Sequence, residues 1–242
     1  MRMRALAATL MLFLHASLAL CAENKTIGVF VALADNKSQG IVPVPEAIGN
    51  GNDPEKNLYW GTAEGLRGHF DRSRKWKLIE KNDTPDGDVL RTRTYRHADT
   101  GAVLYAHAYR GTAIRKCIQD FESAVQVGSY DLVVFIGHNG LMDFDLPKPE
   151  KSSKQAKTPD CIVLCCKSEQ FFKARLIDAG GRPVLLTTQL MYPGAFILDA
   201  AADNWLAGSK PAKIKESAGA AYAENQKLSK KAGLGVFADL KD

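Results

Sequence analysis

The sequence predicts an α/β fold: a single three-layer α/β/α domain with a mostly parallel central sheet, helices on both faces and a peripheral β-hairpin. Three observations predict it. Strand-like apolar runs alternate along the chain with segments whose apolar residues recur at helical spacing. Residues 26–34 (TIGVFVALA) are a continuous apolar run, and residues 131–137 (DLVVFIG) and 161–166 (CIVLCC) are apolar apart from Asp131; that is the pattern of a strand covered on both sides. Two further runs flank Asp99-Thr100-Gly101, which is hairpin turn chemistry.

Residues 26–34 form the first predicted strand. A long Gly-, Pro- and Asn-rich loop follows, through residues 40–43 (GIVP) and 49–52 (GNGN); structureless loops of this length often carry function. Asp53-Pro54 then reads as the start of a helix, Asp as N-cap and Pro at the first helical position. Tyr59, Ala63, Leu66 and Phe70 share one face of it. Residues 76–80 make a short strand, and residues 89–97 and 103–109 form the hairpin, whose arginines and tyrosines suggest a partly solvated ribbon. Thr112 is the expected cap of a helix whose buried stripe is Ile114, Ile118, Phe121 and Val125. Residues 131–137 are the third core strand and 161–166 the fourth, separated by a polar, Lys- and Ser-rich insertion at 146–160. Ser168 opens a helix that Gly180-Gly181 ends, and residues 183–188 (PVLLTT) are the fifth strand. Two helices close the chain, at about 194–207 and 213–231. No internal repeat or second domain is visible.

The N-terminus carries a different signal. Arg2 and Arg4 precede an apolar stretch over residues 5–20, with small residues at Ala19 and Ala22. This is the pattern of a signal peptide spanning residues 1–22, leaving residues 23–242 as the folded domain. The stretch is short for a membrane span and ends at Glu23-Asn24-Lys25. A lipoprotein with acylated Cys21 fits less well, because bulky Leu20 precedes it. The expected destination is therefore the bacterial periplasm or the medium, with no membrane attachment after cleavage. The chain holds 32 Lys and Arg against 27 Asp and Glu. Without Arg2 and Arg4 the excess is too small to argue for nucleic acid or anionic lipid.

Cys117, Cys161, Cys165 and Cys166 remain after processing. An even count in an exported chain suggests disulfides, but three of these lie in one six-residue apolar segment, where a strand holds neighbours on opposite faces. His69, His97 and His107 have no partners at metal-ligand spacing, so no metal or other cofactor is expected. Attention falls instead on two strand ends. In open parallel sheets, ligands sit beyond the carboxyl ends of the strands. His138 follows one such end and Cys166 closes the next, and sequential strands often pair. The helix opening at Ser168 directs its positive dipole end toward Cys166. Asp143 and Asp145 read first as a solvated loop, and second as groups that orient the imidazole. Tyr59 reads first as core, and Trp60 as a cover for the preceding loop.

Residues 133–140 (VVFIGHNG) and 162–168 (IVLCCKS) resemble the motifs of the caspase–legumain–gingipain clan of cysteine peptidases. There, an apolar strand ends in His-Gly and a second in Ala-Cys-x-Gly or Ala-Cys-x-Ser. The order of elements over residues 26–206 is also similar to the caspase-like fold. The chain departs from the pattern twice: Asn139 stands between His138 and Gly140, and Cys165 replaces the usual Ala. The resemblance implies a peptide-bond hydrolase acting on peptide or protein substrates. Cys166 would be the nucleophile, His138 its acid–base partner, and backbone amides near Gly140 and Cys166 the oxyanion donors, the Gly140 amide first among them. By the same resemblance, Asp35 and Asn36 after the first strand would line the specificity pocket, and Asp35 would favour a basic residue before the scissile bond. An Asx turn is the competing reading of Asp35. The alternative function is a degenerate, non-cleaving module on the same fold that binds peptide or protein.

Overall fold

A computed structural model describes residues 24–241; the expected signal peptide, Cys21 included, lies outside the described residues. Seven strands form one sheet in the order β2-β3-β4-β1-β5-β6-β7. β1 (Thr26–Ala32) occupies the middle. It pairs in parallel with β4 (Val103–Tyr109) on one side and with β5 (Leu132–Ile136) on the other. β6 (Asp160–Leu164) and β7 (Arg182–Leu185) continue the parallel run. β2 (Trp76–Asn82) and β3 (Val89–His97) form the antiparallel flank next to β4.

Alternation along each central strand divides the core between two faces. On one face Val29, Val31, Leu132, Val134, Ile162 and Leu164 belong to a cluster that includes residues of α1 (Leu66–Phe70), α4 (Ala195–Leu206) and α5 (Pro211–Asn225). On the other, Phe30, Val133, Phe135, Cys161 and Val163 pack with α2 (Ile114–Val127) and α3 (Ser168–Asp178). A short helix, α6 (Lys230–Leu234), closes against α5. The result is helices on both faces of a mostly parallel sheet. α2 carries the anticipated stripe of Ile114, Ile118, Phe121 and Val125, and ends at Gly128, whose φ of 71° suits a left-handed C-cap.

Four expectations need correction. The hairpin is not peripheral, because β4 pairs with β1 along its whole length. Leu104, Ala106 and Ala108 bury one side of β4, while the solvated look of the sequence came from Tyr105 and His107 on the other. The helix expected from Asp53 forms only at Leu66–Phe70. The Asp53 side chain accepts from the Glu55 N–H in a local turn, and buried Asn57 captures the Tyr59 N–H with its own oxygen, so side chains outcompete the helical ladder. Thr112 lies within a 3-10 turn, Gly111–Ala113, and α2 starts behind Ala113 without a side-chain cap. The last predicted helix is two, α5 and α6, with Lys227 in a left-handed conformation between them.

Candidate functional site

β5 and β6 run side by side in the register Ile136↔Leu164. Two residues beyond that pair, the chains reach His138 and Cys166. Both line one cleft of about 580 Å³ at the carboxyl end of the sheet, a size typical of ligand sites. His138 is 7% exposed, so its ring is held within the structure. The Asn139 side chain ties the two strand ends together, its Nδ2 donating to the Cys166 carbonyl at 2.6 Å.

Cys166 sits on a tight turn. β6 stops at Leu164, two residues earlier than the sequence run suggested, and α3 begins at Ser168. Lys167 between them has φ 50° and ψ 38°, a left-handed conformation that costs a non-glycine residue about 1–2 kcal/mol. Buried Ser168 and Thr187 hold this turn in place. Ser168 Oγ donates to the Val163 carbonyl at 2.8 Å, and the Thr187 N–H donates to Ser168 Oγ at 2.8 Å. The Ser168 N–H donates to Thr187 Oγ1 at 3.0 Å, and Thr187 Oγ1 donates in turn to the Cys165 carbonyl. The outcome separates the adjacent thiols. Cys165 is fully buried with Phe135 and Phe172, and burial raises its thiol well above the ordinary range, with the Cys166 sulfur adding to the effect. Cys166 is half-buried and faces the cleft. Its sulfur accepts from the Met191 N–H at 3.5 Å and lies 3.6 Å from the Met191 carbonyl. Among the described residues all four cysteines are free thiols, and burial also pushes up Cys117 and Cys161.

His138 has a dedicated orienting group. Its Nε2 lies 2.7 Å from Asp143 Oδ2. A carboxylate accepts, so Nε2 carries the proton and Nδ1 is left to exchange one. The same Asp143 oxygen accepts from the Gly40 N–H at 2.9 Å, which fastens the loop after β1 to the imidazole. Asp143, ranked first as a solvated residue from sequence, is thus a structural part of the site.

The remaining sequence candidates fall elsewhere. The Gly140 N–H, the expected oxyanion donor, donates to the His138 carbonyl at 3.1 Å within the turn. The Cys166 N–H has no acceptor among the described residues. Asp35 is buried, with Oδ2 accepting from Ser38 Oγ at 2.7 Å and Oδ1 from the Lys37 N–H at 3.2 Å; this is the Asx-type reading. Asn36 clamps Val44 through both backbone groups, at 2.7 and 3.1 Å. Neither lines the cleft. They shape its loop wall instead, together with Asn57, which bonds both backbone groups of Ala34.

The cleft wall itself is apolar. Ile41, Val42 and Val44 come from the loop after β1, and Leu58 and Tyr59 from the turn that Asn57 organises. Residues 190–193, between β7 and α4, form the opposite wall; Tyr222 steadies them by accepting the Tyr192 N–H at its hydroxyl, 3.2 Å away. Burial, reinforced by the nearby Cys166 and Cys165 sulfurs, raises the Tyr59 phenol far above its usual range, so it stays protonated. Trp60 is fully buried within the core cluster that includes α1, α4 and α5. Sequence reasoning missed the 190–193 wall. Its signal was a run of large apolar residues, Leu190-Met191-Tyr192, directly after a predicted strand end. No family model matches the chain, and no curated protein or solved structure is found to be similar to it.

Proposed function

We propose that this chain is a cysteine peptidase of the caspase-like clan, with Cys166 as nucleophile and His138 as acid–base partner. The observation that carries the reading is the meeting of the two groups in one cleft. They come from adjacent parallel strand ends, and the imidazole is held by Asp143. An activated thiol needs a base in reach and a third group to orient that base. The two motifs bring the thiol and the base to one cleft, and Asp143 is the group that orients the base.

The reaction follows from these parts. The Cys166 thiol passes its proton to His138 Nδ1 and the thiolate attacks the scissile carbonyl carbon; a C–S bond forms and the carbonyl electron pair moves onto oxygen. The unspent Cys166 N–H lies beside the attacking sulfur and donates to that oxyanion. His138, protonated, gives its proton to the leaving amine as the C–N bond breaks. Water then attacks the thioester with His138 as base, returning the thiol and releasing the acid. Asn139, inserted between His138 and Gly140, fixes the spacing of the two strand ends with its side chain on the Cys166 carbonyl.

The non-cleaving alternative draws on the contacts of Cys166 with both backbone groups of Met191, which would suit a thiol with a purely structural role. Hydrolysis of a fluorogenic peptide library separates the two. The peptidase reading expects cleavage by the residue 23–242 protein, a loss of at least about 10³-fold in Cys166→Ala and His138→Ala, and retention in Cys165→Ala. A protein that binds library peptides but cleaves none of them is the binding module.

A further inference from the structure

We infer that the cleft selects substrates with a large, uncharged apolar side chain beside the scissile carbonyl. This inference rests on the peptidase reading for the bond broken, but its binding component does not. Apart from His138 and Cys166, the cleft is lined by aliphatic and tyrosine side chains, Met, Pro and glycine. Among the described residues, no carboxylate, lysine or arginine lines it. Asp35, the residue expected to receive a basic side chain, has both oxygens engaged within its own loop. Asp143 spends one oxygen on His138 and the Gly40 N–H.

The rim points the same way. Val42 is 83% exposed, Leu190 63% and Met142 43%, and all three line this cleft. Isolated exposed apolar residues are ordinary, but three around one concave site, next to a thiol and an imidazole, form a continuous surface for an apolar group. A lysine or arginine entering here would shed water against an apolar lining, where the nearest carboxylate, Asp143, already has one oxygen shared between His138 and the Gly40 N–H. A leucine or phenylalanine would gain from burial alone, by about 10- to 100-fold in affinity.

The experiment has two arms. In the first, N-acetyl dipeptide chloromethyl ketones ending in Phe, Leu, Lys or Asp alkylate the protein, and their second-order rates at Cys166 are compared. The Phe and Leu probes are expected to react at least about 10-fold faster than the Lys and Asp probes. Leu190→Glu and Val42→Glu, both on the exposed rim, should narrow that gap by raising the Lys rate. Equal rates for all four probes, or a Lys probe that is fastest, overturn the inference. In the second arm, calorimetry on Cys166→Ala measures binding of N-acetyl tetrapeptide amides that differ only in the last residue. Tighter binding of the Phe and Leu peptides by about 10-fold supports the selection with no bond being broken; equal binding overturns it. Loss of the dyad reading shows separately, as a Cys166 that reacts with iodoacetamide at the same rate with and without His138.

Discussion

Replacing Asp143 with alanine removes the oxygen that accepts from both His138 Nε2 and the Gly40 N–H. The His138 ring is buried and loses the contact that fixes which nitrogen carries its proton. A hydrogen bond to a charged group contributes about 1.5–3 kcal/mol. Asp143 is 32% exposed, so water compensates in part, and about 1–2 kcal/mol is the expected loss. At 1.4 kcal/mol per factor of ten, that is a fall of about 5- to 30-fold in Cys166 reactivity. The assay is the second-order rate of iodoacetamide at Cys166 at pH 7, with His138→Ala as the floor. Asp143→Asn keeps an acceptor oxygen without the charge and should fall between the wild-type and alanine proteins. An Asp143→Ala protein within about twofold of wild type, alongside a slow His138→Ala protein, would refute the orienting role.

Other consequences follow from the surrounding structure. Ser168→Ala strips the Thr187 N–H and the Val163 carbonyl of a fully buried partner, and should lower the unfolding free energy by about 1–3 kcal/mol in urea titrations. Arg175 grips Glu122 through Nε and Nη2 at 2.6 and 2.8 Å, joining α3 to α2. Arg175→Met leaves Glu122 buried without its partner and should cost about 3–5 kcal/mol by the same measurement, whereas the double change with Glu122→Leu should recover much of it. Asp199 accepts from His69, Lys75 and Trp76. Burial opposes its ionisation, but the bonds from His69 and Lys75 prevail and hold its carboxyl below the usual range. A carboxyl depressed in the native state stabilises fully above its unfolded value, near pH 4, and the contribution fades as pH falls through the native value. Asp199→Asn should therefore lower the urea midpoint at pH 7 and differ less from wild type at pH 3; an equal difference at both would contradict this.

The core and the order of elements were legible because period-two and period-3.6 patterns report burial directly. The apolar runs of β1, β5 and β6 showed it best, since strands covered on both faces leave few polar residues to confuse the pattern. His138 and Cys166 were legible for the same reason, as reactive residues at the ends of such runs. What escaped was set by tertiary contacts. β4 alternates Tyr105 and His107 with small alanines, a composition that suits a solvated ribbon as well as a strand beside β1. The Asp53 segment carries sound helix-start signals, yet Asn57 reaches Ala34, 23 residues earlier in the chain, and holds the segment in turns. At the site, Asp35 and Asn36 looked like recognition groups because they follow a strand end; only side-chain geometry reveals that they are consumed by their own loop. Asp143 was the reverse case. Its partner is five residues away across a 3-10 turn, Gly140–Met142, a spacing that no strand or helix period marks.

The central claim, a thiol at position 166 acting with an imidazole at position 138, is tested most directly by trapping the covalent intermediate. An N-acetyl-phenylalanyl thioester is mixed with the protein, quenched in acid within seconds, and the adduct located by peptide mass. The account predicts a hydroxylamine-labile acyl group on Cys166, absent from Cys166→Ala and formed far more slowly in His138→Ala. An acyl group on Cys165, or one on Cys166 that forms equally fast without His138, would contradict it.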